Sequence, residues 1–184
     1  MKHRIFIAIN LPKEIKNELA KFQVQWQEEI PAKWVRSENL HITLAFLGYL
    51  KSEEISSICE SIKKITENYS PFFINLNKIS FVPYKKLPPK MIWVIGESTK
   101  ELVNLRNDIK STLKIEEEPF SPHITLARIR QWEFKKIERY EIPDIETEIS
   151  LSFEVCSIDL MESHLKRTGP EYITLESFKL GKSS

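Results

Sequence analysis

The sequence predicts a mixed fold of strands and helices built from two divergent copies of one β/α unit, on three observations. The pentapeptide HITLA occurs twice, at His41–Ala45 and His123–Ala127, nearly half of the 184-residue chain apart. Both copies alternate polar and apolar residues, the two-residue period of a half-buried strand. Around them lie stretches whose apolar residues recur every three or four positions, the period of an amphipathic helix. The length suffices to bury a core, and 41% hydrophobic against 29% charged residues is an ordinary globular composition.

In chain order, Arg4 to Ile9 reads as a first strand. Pro12 then opens a helix whose apolar stripe is Ile15, Leu19, Phe22 and Trp26. Lys33 to Val35 and Leu40 to Leu47 read as strands joined by Ser37-Glu38-Asn39. Ser52 is the expected cap of a second helix, with Glu53 and Glu54 in its first turn and Ile55, Ile58, Ile62 and Ile65 on its buried face. Two strands, Phe72 to Val82 and Met91 to Ile95, flank the proline-punctuated basic loop from Pro83 to Lys90. Ser98 to Glu101 reads as a capping box before a helix with Leu102, Leu105, Ile109 and Leu113. After the second HITLA strand, Trp132 to Tyr140 is expected to be a short helix or loop. Strands near Leu151 to Met161 and Tyr172 to Leu180 complete the chain, with Arg167 in a turn and Gly169-Pro170 breaking the hairpin.

Composition narrows the function. A net charge of +1, from 27 basic and 26 acidic residues, argues against a surface that neutralises many phosphates along a duplex. A small anion, or a nucleic acid end held in one cleft, stays compatible. The apolar stretch in MKHRIFIAINLP ends at Asn10 and Pro12, too short for a signal-peptide core, and no run approaches the length of a membrane span. Cys59 and Cys156 form no spaced set, so a reducing cytoplasm is the expected location.

The repeat itself asks for chemistry. Apolar positions alone would keep the fold, yet both histidines and both threonines recur, on the face opposite Ile and Leu. Two such strands related by a pseudo-two-fold axis present two imidazoles across a cleft. Histidine titrates near pKa 6.5, so one ring can act as a neutral base while the other acts as a charged acid. That pairing suits in-line displacement at phosphorus: the base takes a proton from attacking water, and the acid protonates the leaving oxygen. The threonine hydroxyls, two residues on, are placed to hydrogen-bond the non-bridging oxygens. Zinc is disfavoured, because no His-x-x-x-His, third nearby histidine or same-face carboxylate accompanies the pair, and His3 and His164 lack ligand spacing. No Gly-x-Ser-x-Gly elbow occurs either.

These residues resemble the two-histidine (2H) phosphoesterases and, more narrowly, the RNA 2′,3′-cyclic phosphodiesterases historically called 2′-5′ RNA ligases. RIFIAINLP, ENLHITLAFLG, PFSPHITLAR and LMESHLKRTGPEYITLESF stand in that family's order, over nearly the whole chain. The resemblance implies one domain, residues 1–184, of two intertwined lobes. It implies a bilobal α+β fold in which two antiparallel sheets in pseudo-two-fold arrangement flank a central cleft, with helices outside. It implies metal-independent, cofactor-free hydrolysis of RNA 2′,3′-cyclic phosphate ends to 2′-phosphomonoesters; a monomer is expected because nothing in the sequence suggests an oligomer seam. It assigns His41 as proton donor, His123 as proton acceptor, and Thr43 and Thr125 to the phosphate.

Further candidates are weaker. Arg128 ends the second motif as in the family and would neutralise phosphate charge, but strict alternation puts it on the core face with Ile124 and Leu126. Lys85, Lys86 and Lys90 are candidates to steer RNA, although a solvated loop explains them better. Phe46, Tyr84 and Trp132 are candidates to stack a base, against ordinary core or rim packing. A ligase running the same displacement backwards, a hydrolase of other small cyclic phosphates or 2′-5′ oligonucleotides, and an idle RNA-binding module remain as rival readings. Binding alone would not require two titrating groups, which counts against the last.

Overall fold

Two identical strand motifs meet at the centre of one antiparallel surface. The computed structural model describes residues 2–116, 119–167 and 169–181. Its strands are β1 (Lys2–Asn10), β2 (Ala32–Trp34), β3 (His41–Lys51), β4 (Phe72–Val82), β5 (Met91–Gly96), β6 (His123–Ile129), β7 (Thr147–Val155), β8 (Ser157–Lys166) and β9 (Gly169–Lys179). The helices are α1 (Lys13–Trp26), α2 (Ser52–Thr66), α3 (Lys100–Leu113) and the short α4 (Gln131–Phe134). Strands β3-β1-β8-β9 form one half and β6-β5-β4-β7 the other, with β2 added to β6. The halves join through one residue pair, Ile42 opposite Ile124. The two sheets expected from the resemblance are therefore two halves of a continuous ladder, with the pseudo-two-fold passing between those isoleucines.

The alternation of HITLA explains this placement. Ile42, Leu44, Ile124 and Leu126 are buried, together with Ile5, Ile7 and Ile9 of β1, while the histidines and threonines of both motifs are only half-buried. Each long helix buries one stripe: Ile15, Leu19 and Trp26 on α1, Ile62 and Ile65 on α2, Leu102, Leu105 and Ile109 on α3. Ile55 and Ile58 pack on the core from its margin.

Both motif strands share one irregularity. Ile7 pairs with Ala45 and Ala8 with Thr43, which leaves Leu44 as an extra residue. Likewise Ile92 pairs with Ala127 and Trp93 with Thr125, leaving Leu126 extra. Each bulge resets the alternation. Leu44-Ala45 and Leu126-Ala127 are therefore consecutive buried residues, and Phe46 and Arg128 emerge on the exposed side.

Several local expectations need correction. Thr99, not Ser98, caps α3, its hydroxyl accepting from the Leu102 N–H at 3.4 Å, so Glu101 has no part in a box. Ser52 is the first helical residue of α2; the Lys51 N–H donates instead to the Glu54 carboxylate at 2.7 Å. Gly169 and Pro170 open β9, opposite Lys166 and Leu165, and do not break the hairpin. Arg167 lies in the turn before them as expected; Thr168 is outside the described residues. The chain also changes halves at Cys156: β7 pairs with β4, whereas β8 pairs with β1 and β9.

Candidate active site

A cleft of about 970 Å³ opens where the halves meet, and His41, Thr43, His123, Thr125 and Arg128 all line it. The motif strands bring the first four residues; the bulge at Leu126 brings Arg128, against the alternation expected from sequence.

The two imidazoles are held in the same way. His41 Nδ1 lies 2.6 Å from the Asn39 carbonyl and His123 Nδ1 lies 2.7 Å from the Ser121 carbonyl, in each case two residues back along the chain. A carbonyl can only accept, so both Nδ1 atoms donate, which leaves Nε2 as the group able to gain or lose a proton. His41 Nε2 sits 3.0 Å from Thr43 Oγ1. Asn39 is itself buried and its amide donates to the Pro170 carbonyl at 2.9 Å, which fastens the first motif to β9.

The surroundings of the two rings differ. His41 packs between Phe6 and Tyr172, with ring centroids 5.2 Å away in both cases and Tyr172 edge-on. His123 stacks flat on Trp93, centroids 3.6 Å apart and planes 17° off parallel. Burial lowers the His41 pKa below the ordinary histidine value, against the Asn39 carbonyl, and the charges of Lys16 and His123 push the same way as burial. Burial also lowers His123, opposed by the Ser121 carbonyl. Tyr172 is raised by burial, with Arg128 and Arg4 pulling it back.

Arg4, Arg106, Lys110 and Arg128 line the cleft, while among the described residues Glu116 is its one acid. An anion is the ligand such walls select. Phe46 reaches the cleft; Tyr84 and Trp132 do not, and neither do Lys85, Lys86 and Lys90. Tyr84 lies under Lys78 and Lys85, and Trp132, 76% exposed, under Lys136. Sequence reasoning missed Phe6, Trp93, Arg106, Lys110 and Tyr172. Trp93 had one available signal: it is a tryptophan in a strand that a helix connects to the second motif.

Outside the cleft, His3 and His164 converge on Glu162, at 2.7 and 3.2 Å, and His3 Nε2 meets Ser52 Oγ at 3.0 Å. Among the described residues no group of three or more His, Cys, Asp or Glu is placed to hold a metal ion. No helix among them is long and apolar enough to cross a membrane.

Comparison with known proteins adds to this geometry. The family model described as LigT like Phosphoesterase matches residues 9–93 and 95–172. The chain is 32% identical over 184 residues to an RNA 2′,3′-cyclic phosphodiesterase of Methanocaldococcus jannaschii, covering 95% of this chain and 99% of that protein. It is 31% identical over 181 residues to one of Thermotoga maritima, covering 94% and 92%. A crystal structure from Thermus thermophilus superposes with a TM-score of 0.82 at 27% identity, over 98% of this chain and 100% of that one. E. coli LigT complexed with phosphate shares the fold, with a TM-score of 0.77 at 23% identity over 98% and 99%.

Proposed function

The chain belongs to the LigT-like (2H) phosphoesterase family, and on that premise we propose that it hydrolyses RNA 2′,3′-cyclic phosphate ends to 2′-phosphomonoesters without a metal. The observation that supports this reading most is the matched pair of imidazoles, each tied by Nδ1 to a backbone carbonyl and each keeping Nε2 for proton transfer.

Water attacks phosphorus as the P–O3′ bond breaks. His123 Nε2 takes the water proton, and His41 Nε2 gives one to the departing O3′. Thr43 and Thr125 donate hydroxyl protons to the non-bridging oxygens. His41 Nε2, 3.0 Å from Thr43 Oγ1 in the free site, exchanges that hydroxyl for O3′ as it gives up its proton. Arg128 adds a fixed positive charge at the mouth. The lowered pKa of His123 suits a base that must be neutral, whereas His41 needs a proton that the arriving anion draws to it. Free Cys59 and Cys156 fit action in a reducing compartment.

The test is turnover of a nucleoside 2′,3′-cyclic phosphate with EDTA present, the product identified by phosphorus NMR. We expect a 2′-phosphomonoester at an undiminished rate, and losses of roughly 10²–10⁴-fold in His41→Ala and in His123→Ala. The double mutant should be far less damaged than the product of the two factors, because the pair acts as a unit. Near-full activity in either single mutant, or loss on chelation with recovery on metal addition, would refute the mechanism.

A further inference from the structure

Lys110 raises a question that the two-histidine centre leaves open. It is 5% exposed, on the last turn of α3, and lines the cleft. Among the described residues no carboxylate, carbonyl or hydroxyl pairs with its ammonium group. Its apolar stem is buried against the helix while the ammonium group reaches the cleft, where an anionic ligand can meet it. Arg106, one turn earlier on the same helix face, is fixed in the same wall. Its Nε donates to the Leu44 carbonyl at 3.2 Å, and its guanidinium lies 4.4 Å from the centre of the Phe120 ring. It thereby touches both the bulge of the first motif and the segment leading into the second.

We propose that Lys110 and Arg106 form a second anion subsite, which holds the phosphodiester next to the reacting end of an RNA strand. This rests on the activity proposed above. Both histidines, both threonines and Arg128 already serve the cyclic phosphate, so these two cations are surplus to a single phosphate. The cleft volume also lies at the upper end of what one small molecule needs. Around the cleft Arg4, Arg106, Lys110 and Arg128 face only Glu116 among the described residues, whereas the whole chain is close to neutral at +1. A lysine in the last turn of a helix also interacts favourably with the macrodipole. An exposed side chain would do that equally well, so the dipole does not account for burial.

The experiment compares cytidine 2′,3′-cyclic phosphate with a six-nucleotide RNA ending in the same group, for the wild type, Lys110→Met and Lys110→Arg. For Lys110→Met the ratio of kcat/KM on the oligomer to kcat/KM on the mononucleotide should fall about tenfold, mostly through KM, as one charge-assisted hydrogen bond is lost. The salt dependence of KM for the oligomer should become shallower by about 0.7 in log–log slope, and Lys110→Arg should restore most of both. An unchanged ratio in Lys110→Met, with the wild type active, overturns the subsite alone. A wild type inactive on both substrates overturns the activity, and the subsite with it.

Discussion

Both cleft histidines are held below the ordinary value of 6.5, burial being the first cause for each, yet the proposed reaction needs one of them charged. The bound phosphate resolves this. A negative charge placed between two imidazoles favours the protonated form, so one ring must gain a proton as the ligand binds. Uptake is expected in the window between the lowered free value and the raised bound one, and affinity should strengthen as pH falls through it. A slowly hydrolysed 2′,3′-cyclic phosphorothioate, whose single charge does not titrate near neutrality, is the suitable ligand. Calorimetry in two buffers of different ionisation enthalpy then reads proton uptake directly. His41→Ala should abolish it and His123→Ala should keep it. The reverse pattern would mean that donor and acceptor have been exchanged. At this scale the sequence was informative: a doubled polar pair on strand spacing picked out His41, Thr43, His123 and Thr125, which line one cleft. The Trp93 stack was invisible, because which ring faces His123 depends on pairing across strands.

Among the elements, the twin bulges decide what the motif strands can present. Without the extra Leu126, Arg128 would point into the core and Ile129 out of it. With it, Leu126, Ala127 and Ile129 are buried and Arg128 is not. A bulge leaves no mark on hydrophobic periodicity beyond one broken beat, which is why strict alternation misplaced this arginine. Arg128→Ala should therefore change stability by no more than about 0.5 kcal/mol, as for an ordinary exposed site. The same variant should raise KM for the cyclic phosphate about tenfold. Denaturant melts beside steady-state kinetics separate the two effects, and a large stability loss with unchanged KM would place the side chain in the core. The helices tell a similar story. Leu102, Leu105 and Ile109 were legible as the buried stripe of α3, but a stripe has two flanks. Only tertiary placement turns the flank bearing Arg106 and Lys110 toward the cleft and leaves the other to solvent. The caps of α2 and α3 were each misread by one residue: Ser98 and Thr99 stand side by side as alternative acceptors before α3, while Ser52 falls inside α2 and the Lys51 N–H is met by Glu54.

For the whole molecule, the strand order matters more than any single contact. The first half of the ladder is assembled from both ends of the chain: β1 lies between β3 and β8, with Ile5 opposite Glu162, and the His3–Glu162–His164 cluster joins the same two ends. The sequence showed the duplicated motif but could not show this crossing at Cys156, since nothing local distinguishes a strand that stays in its half from one that returns. For a ribosome, the crossing means waiting. When β1 and β3 have emerged, one edge of β1 stays unfilled, and its neighbour is made only after the second half has been synthesised. The first half cannot then be an independent folding unit, and closing so distant a pair carries a loop-entropy cost that only the assembled core offsets. Fragments cut between β5 and α3, residues 1–97 and 98–184, should each lack a cooperative thermal transition by circular dichroism and should regain one, with activity, when mixed. A cooperative melt in either fragment alone would mean that the newborn chain has no need to wait for its last strands.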